Sequence, residues 1–324
     1  MNIQTFLDDT GYLLSVDFVQ QALIACALLG VLSGVMTSLV VLRQMSFSVH
    51  ATSELALMGA AAALLFGLNI GWGAIAGAIG AAIVLAVLGF RGQQDSAIGV
   101  VMSFGLGLSV LFLHLYPGNP TAAMTLLTGQ IVGVSSASVW LLALTTIVVV
   151  AAVVLFWRPM LFASADPVMA QASGIPIRAI SVLFAVLVGL AAAQSVQIVG
   201  ALLVMALLIT PGAAAVQITS SPLKTVLWSV IFAEVAAVGG LILSLAPGLP
   251  VSVFVTTSLL RFTSCAARSG CSRTAVPCAT ILLRNAIRQN SPRPSPRGWA
   301  TRILHKFITP ATMMSTAIIL MIKL

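Results

Sequence analysis

Residues 19–42, VQQALIACALLGVLSGVMTSLVVL, form an apolar run without a single charged side chain. A helix of this length rises about 36 Å, more than the roughly 30 Å of hydrocarbon in a bilayer. Similar runs recur along the chain, which is 60% hydrophobic and 7% charged, with a mean hydropathy of +1.12. Because a soluble domain carries roughly 25% charged residues, most of this surface must face lipid. The sequence therefore predicts an all-α, polytopic transmembrane helical bundle.

We predict about eight or nine membrane spans, separated by short breaks that hold nearly all of the charged and turn-forming residues. The predicted spans are 19–42, 51–70, 71–90, 96–116, 136–156, 179–196, 198–216, 225–246 and a truncated one at 252–262. The segment 122–135 is too short and too polar to cross the bilayer. It predicts a re-entrant or interfacial piece buried against protein.

The longest internal break, 158–178, predicts a short helix on the cytoplasmic face of the membrane. Asp166-Pro167 is a typical helix start, and Gly174 followed by Pro176 is a typical stop. Such a helix is either purely structural or, in a transporter, the place where a cytoplasmic motor would bind.

The basic residues of the bundle predict its orientation. With the N-terminus outside, every Lys and Arg up to residue 261 falls in a cytoplasmic loop; these are Arg43, Arg91, Arg158, Arg178, Lys224 and Arg261. The opposite loops contain no Lys or Arg, as the positive-inside rule requires. We therefore predict a multi-pass protein of the plasma membrane. Asp95, at a cytoplasmic turn, is predicted to cap the helix that follows.

The net charge of +8 belongs to the C-terminal segment. Residues 1–260 carry five basic and seven acidic side chains, a net charge of −2, whereas 261–324 carry ten basic and no acidic ones. We divide the chain into a bundle, 1–262, and a basic tail, 263–324, with no helical periodicity. Our hypothesis is that a frameshift near 259–263 produced the tail, and the alternative is a disordered segment attracted to anionic lipid. A nucleic-acid partner is not predicted.

His50 and Glu54 are the strongest candidates for chemistry inside the membrane. They stand four residues apart at the start of the second predicted span, so they project from one face of a helix. Imidazole nitrogen and carboxylate oxygen both bind borderline divalent cations such as zinc or manganese. Alternatively, His50 lies at the interface and Glu54 bonds to a neighbouring helix.

Two further ionisable residues are weaker candidates. Glu234 is either on a transport pathway or a structural partner of a hydroxyl group, and His114 is predicted to be interfacial. The chain contains no Walker A, GxSxG or HExxH pattern. It is therefore not predicted to be an enzyme, and ATP hydrolysis, if it drives transport, belongs to another subunit.

Several segments resemble the permease subunits of zinc and manganese ABC importers, the ABC-3 family. They are VVLRQMSFSVHATSELALMGAA (40–61), DSAIGVVMSFGLGL (95–108), VGALLVMALLITPGAAA (199–215) and the spacing of Asp166, Ala170 and Gly174. The resemblance covers roughly residues 17–262. In the family, the second-helix pair is usually Asp and then His, so the order of carboxylate and imidazole is reversed here.

The resemblance implies a function and a set of partners. It implies a divalent metal, zinc or manganese, as cargo rather than as a cofactor, a second permease copy, cytoplasmic ATP-binding subunits and an extracytoplasmic metal-binding receptor. Asp166, Ala170 and Gly174 fall where the family's coupling helix contacts the ATPase. Two alternatives stay open at this point: an ABC permease for haem or a siderophore, and a secondary carrier using Glu54 and Glu234 as proton sites.

Overall fold

The computed structural model describes residues 16–89, 94–118, 126, 129, 134–245, 251–264 and 266. The chain divides into two compact units, Met1–Gly270 and Cys271–Leu324, and every described residue lies in the first. Its helices are α1 (Asp17–Leu42), α2 (Ser46–Leu65), α3 (Ile70–Gly89), α4 (Gln94–Leu115), α5 (Ser136–Leu155), α6 (Trp157–Ala165), α7 (Pro167–Ala172), α8 (Ile177–Val199), α9 (Ala201–Ile218), α10 (Pro222–Leu245) and α11 (Val251–Ser264). The predicted all-α architecture is confirmed.

Within the part of the chain that the structure describes, six helices are long and apolar enough to cross a membrane: α1, α2, α5, α8, α10 and the Ile98–Leu115 part of α4. Three shorter apolar helical segments are Ile70–Leu85, Leu203–Ile218 and Val251–Ser264. The apolar bundle that the sequence predicts is therefore present. The number of crossings and their direction stay predictions.

Small residues allow α1 to pack closely against α10. A Cβ atom on Gly34 would lie only 2.5 Å from the Cα of Val230, and the Ser229 hydroxyl donates a hydrogen bond to the Gly34 carbonyl (2.7 Å). Gly30, one turn earlier on the same face, lies against Glu234. Because lipid provides little hydrophobic drive between helices, such close backbone contacts supply much of the packing energy.

A second set of glycines joins α2 to its neighbours. Gly59 of α2 lies against the backbone of Gly73 and Gly77 of α3, and Gly77 also meets the carbonyl of Leu55. On the other side of α2, Gly105 of α4 packs against the Leu55 side chain. Helix α2 is thereby held between α3 and α4, and its side chains from Ala51 to Leu57 are buried.

The break between α5 and α8 contains two helices where the sequence predicts one. Helix α7 begins at the predicted Asp166-Pro167 start, and Gly174 has a positive φ of 82° just beyond its end. The additional helix, α6, contains Pro159, a residue that is unfavourable inside a helix. Pro159 stands in the first turn of α6, where a backbone N–H has no helical acceptor to lose.

Three predictions fall largely outside the described residues. They concern the re-entrant segment 122–135, the capping role of the Asp95 side chain, and the tail 263–324. Of the first segment, the described Leu126 is buried, and Gly129 lies against the backbone of Val199.

Candidate metal site on helix α2

Helix α2 begins at Ser46, five residues before the predicted span, so both His50 and Glu54 lie within regular helix. The predicted span, 51–70, has the length that crosses the hydrocarbon core of a bilayer, and it therefore leaves out the polar first turn of the helix. Two hydroxyls beside the pair are satisfied inside the helix: Thr52 Oγ1 donates to the Ser48 carbonyl (2.8 Å) and Ser53 Oγ to the His50 carbonyl (2.7 Å). These hydroxyls therefore form no hydrogen bond with the side chains of His50 and Glu54.

The structure brings the two predicted ligands together on one face of α2. His50 Nδ1 lies 3.9 Å from Glu54 Oε1, too far for a hydrogen bond. The side chains are 30% and 11% exposed, respectively. Two ligands that each bind an ion at about 2.1 Å are separated by at most about 4.2 Å, so the observed spacing lets both reach the same cation.

The pair also has unused hydrogen-bonding capacity. His50 Nδ1 and Glu54 Oε2 are buried and have no hydrogen-bond partner. Buried polar side-chain atoms in proteins are nearly always paired, and an unpaired one costs about 1–3 kcal/mol. The arrangement is therefore suited to a polar or cationic guest that would bind between the two groups.

One chain supplies an incomplete coordination shell. Among the described residues, no group of three or more His, Cys, Asp or Glu side chains is placed to hold a metal ion. The two side chains on α2 would thus share a bound cation with water or with ligands from outside these residues. Partial coordination suits an ion in transit, since a complete protein shell would release it slowly.

Glu234 does not join the pair. Its helix, α10, packs mainly against α1, and its carboxyl group lies beside Gly30, where an added Cβ would meet the carboxylate oxygens at 2.9 and 3.0 Å. Among the residues that the structure describes, no side-chain hydroxyl donates a hydrogen bond to it. The choice between a pathway role and a structural role for Glu234 stays open.

His114 is also separate from the pair. It lies in the last turn of α4 and is exposed. Gly105, the part of α4 that packs against Leu55 of α2, stands nine residues earlier, a rise of about 13 Å along the helix. An interfacial position for His114 agrees with this exposure.

Gln194 of α8, which the sequence did not bring forward as a candidate, also has unpaired polar atoms in the interior. It is fully buried, and neither its amide oxygen nor its amide nitrogen has a hydrogen-bond partner. A signal was present, because Gln194 interrupts the apolar run AAAQSVQIV. Because its amide group carries no charge, however, it does not stand out in the sequence as an ionisable side chain would.

The predicted coupling residues lie at and around the short helix α7. Asp166 Oδ1 accepts hydrogen bonds from the backbone N–H groups of Val168 and Met169 (3.0 Å each), which caps α7. Ala170 is fully buried, whereas Val168 and Met169 are 77% and 58% exposed. Helix α7 is therefore anchored on one side and presents apolar side chains on the other.

Comparison with known proteins decides the family. The model of the ABC 3 transport family matches residues 15–266, more than three quarters of the chain. The chain belongs to the ABC 3 transport family. Its similarity includes the entire helix that carries His50 and Glu54, so the resemblance seen in the sequence is confirmed.

Relatives in this family are named as metal permeases. The chain is 32% identical over 245 residues to the manganese transport system membrane protein MntC of Halalkalibacterium halodurans, covering 75% of this chain and 83% of the relative. It is 31% identical to the manganese import system permease protein ScaB of Streptococcus parasanguinis, covering 76% and 88%. It is 27% identical to the high-affinity zinc uptake system membrane protein ZnuB of Haemophilus influenzae, covering 69% and 86%.

Two solved structures share the architecture. PsaBC from Streptococcus pneumoniae in complex with Fab matches with a TM-score of 0.73 and 27% identity, over 82% of this chain and 95% of the other. An inward-facing, putative metal-chelate type ABC transporter matches with a TM-score of 0.58 at 14% identity, which shows likeness of fold alone.

Proposed function

We propose that this chain is the membrane-spanning permease subunit of an ATP-binding cassette importer that carries manganese or zinc into the cell. Membership of the ABC 3 transport family supports the transporter class. The observation that carries the choice of cargo is the pair on α2, an imidazole and a carboxylate with unpaired buried atoms within reach of one cation. The metal is the cargo, and His50 and Glu54 are its proposed ligands on the pathway.

The two side chains have different parts in this mechanism. Glu54 supplies a negative charge, which offsets part of the cost of bringing a divalent cation into a low-dielectric interior. His50 supplies a nitrogen ligand of the kind that zinc prefers, whereas the Glu54 carboxylate suits manganese. Because the described residues offer two protein ligands, the ion would keep some of its water or take ligands from elsewhere, and it could then move onward.

The remaining subunits follow from the transport cycle that this function requires. A second permease copy would complete the pathway, an extracytoplasmic receptor would deliver the metal, and ATP-binding subunits would bind at α7. Binding and hydrolysis of ATP would supply the differential affinity for outward-open and inward-open states that any such switch needs. In this arrangement, the N-terminus lies outside and the transporter domain is 1–262.

Radiolabelled uptake tests the proposal. Manganese and zinc uptake would be measured in cells that lack the gene, and then in the same cells expressing the wild type, His50→Ala/Glu54→Ala, or the control Thr52→Ala. We expect the double variant to lose at least about tenfold in uptake, because both protein ligands are gone. Thr52→Ala removes a hydroxyl that bonds only to its own helix, so it should leave uptake unchanged.

The same assay separates the competing functions. If the double variant took up both metals as fast as the wild type at equal protein levels, the metal-site assignment would be contradicted. Uptake that persists when the partner ATPase is inactivated, and that follows an imposed pH gradient, would indicate a secondary carrier instead.

A further inference from the structure

Arg43 lies at the junction of four elements on the predicted cytoplasmic side. It caps the C-terminus of α1, and Gln44, which follows with a positive φ of 54°, and Met45 complete a tight turn into α2. This turn is bonded back to α1, since the N–H groups of Gln44 and Met45 donate to the carbonyls of Val41 (3.1 Å) and Val40 (3.1 Å). The Met45 carbonyl also accepts a hydrogen bond from the Val49 N–H of α2 (3.2 Å), so the turn is bonded to the beginning of α2 as well as to α1.

The side chain of Arg43 connects this turn to α6 and α8. Its Nε donates a hydrogen bond to Ser164 Oγ (2.8 Å), and its Nη2 donates to the Met160 carbonyl (3.3 Å), both on α6. Its guanidinium carbon lies 4.3 Å from the centroid of the buried Phe184 ring of α8. These contacts join residues more than one hundred positions apart in the sequence.

A guanidinium suits this position because it binds at several points at once. Its planar fork directs two donors at α6 while its face stacks on an aromatic ring, which a lysine ammonium does not reproduce. Partial burial lowers the pKa of Arg43, although arginine remains charged at neutral pH. Withdrawal of α6 would leave this half-buried charge short of partners, so the turn is expected to follow α6.

Helix α6 leads directly to the proposed ATPase-binding helix. It ends at Ala165, Asp166 then caps α7, and the two helices contact each other. At the other end, His50 and Glu54 follow the Arg43 turn within the first three turns of α2. The order α7, α6, Arg43, α2 thus forms a continuous set of contacts from the cytoplasmic face to the metal pair.

We propose that Arg43 is a positioning residue that transmits movement of α6 and α7 to α2, and thereby to His50 and Glu54. The inference rests on the proposed function, because it assumes an ATPase that moves α7. Arg43 touches neither cargo nor nucleotide in this role. Its loss should uncouple ATP hydrolysis from metal movement rather than abolish hydrolysis.

The test is the ratio of metal uptake to ATP hydrolysis in liposomes that contain the complete complex with its ATPase and receptor. Arg43→Met keeps an apolar stem against Phe184 and removes both hydrogen bonds to α6. We expect hydrolysis within about twofold of wild type and uptake per ATP lowered about tenfold, because two charge-assisted bonds are lost. Arg43→Lys should give an intermediate ratio, and Arg158→Gln, at an exposed position of the same helix α6, should give the wild-type ratio.

Outcomes separate this proposal from the proposed function. The proposed function is tested with the wild-type complex alone: metal uptake with ATP should exceed uptake by the same liposomes without ATP. An unchanged uptake per ATP in Arg43→Met, or a proportional fall in uptake and hydrolysis, would overturn the role of Arg43. If Arg43→Met does not assemble, Ser164→Ala decides, since it deletes one acceptor and retains the guanidinium; we expect uptake per ATP to fall, and an unchanged ratio counts against the proposal.

A readout independent of cargo completes the test. A fluorescent probe at Phe47→Cys, in the exposed first turn of α2, would be attached in a variant whose native cysteines are replaced by alanine. We expect an ATP-dependent change in its emission in the wild-type background and its loss in Arg43→Met. The same change in both backgrounds would show that α2 moves without Arg43.

Discussion

At the scale of single residues, the chemistry of the α2 pair depends on one nitrogen and one carboxylate on the same helical face. His50 Nδ1 and Glu54 Oε1 are 3.9 Å apart, and each side chain retains an unpaired buried atom. The family usually has the carboxylate first and the imidazole one turn later. The reversed order keeps the same two kinds of metal ligand, an imidazole nitrogen and a carboxylate oxygen. Relative to the family's usual order, each ligand is displaced by one helical turn.

This property predicts the behaviour of an exchanged pair. His50→Asp combined with Glu54→His keeps one carboxylate and one imidazole, so we expect manganese or zinc uptake within about threefold of wild type. His50→Asp alone should reduce zinc uptake more than manganese uptake, because it removes the nitrogen ligand that zinc prefers. Radiolabelled uptake at matched expression would check both results, and equal defects in the exchanged and single variants would contradict the expectation.

At the scale of helices, close glycine contacts determine which segments pair. Gly34 allows the backbones of α1 and α10 to approach, and the Ser229 hydroxyl bonds across this contact. By contrast, nothing lies within 4 Å of a Cβ placed on Gly99 of α4. Of these two glycines in apolar helices, Gly34 is therefore needed for a close contact between helices, whereas Gly99 is not.

The contrast predicts the effect of one added methyl group. Gly34→Ala forces α1 away from Val230, so we expect a loss of about 1–3 kcal/mol in the free energy of unfolding, as for other overpacked cores. Gly99→Ala is the matched control and should be neutral or slightly stabilising in a helix interior. Thermal unfolding in detergent, followed by tryptophan fluorescence, would measure the difference, and equal midpoints for the two variants would disprove it.

Helix α7 is short enough to depend on its cap. Only six residues long, it has Asp166 Oδ1 as the acceptor for two N–H groups of its first turn. We expect Asp166→Ala to weaken binding of the partner ATPase roughly fivefold, since an N-cap contributes about 1 kcal/mol. Asp166→Asn retains a capping oxygen and should bind like wild type. Affinities measured with the purified ATPase would check this, and equal weakening by both variants would point to the charge instead of the cap.

At the scale of the whole molecule, the distribution of charge predicts how the bundle lies in the membrane. Every basic residue up to Arg261 falls on one predicted side, which is also the side of α6, α7 and the Arg43 junction. The turn between α2 and α3, with the exposed Leu68, is predicted to lie on the opposite side. The proposed ATPase contact and the predicted orientation are therefore consistent with each other.

Cysteine labelling would test this orientation. In a variant without native cysteines, a membrane-impermeant maleimide added to right-side-out vesicles should label Leu68→Cys. It should label Ser173→Cys, at the end of α7, only after the membrane is opened, because the hydrocarbon core excludes a charged reagent. The reverse pattern would place the N-terminus inside and remove α7 from the reach of a cytoplasmic ATPase.

The amino-acid sequence by itself determined the features that depend on local composition and spacing. Long apolar runs predict helices in lipid, four-residue spacing places His50 and Glu54 on one face, and Asp166-Pro167 predicts the start of α7. Each of these requires only neighbouring residues. The family resemblance also depends on short stretches of neighbouring residues, such as DSAIGVVMSFGLGL (95–108), and the family match confirms it.

Only the tertiary structure decided which segments meet. It places Glu234 beside Gly30 rather than beside the α2 pair, and it joins Arg43 to Ser164 across more than one hundred residues. In a soluble protein, an apolar stripe would show which face of a helix is inside. In lipid, both the inner and outer faces are apolar, so the pattern does not identify the partners of a helix, and packing between small residues selects them.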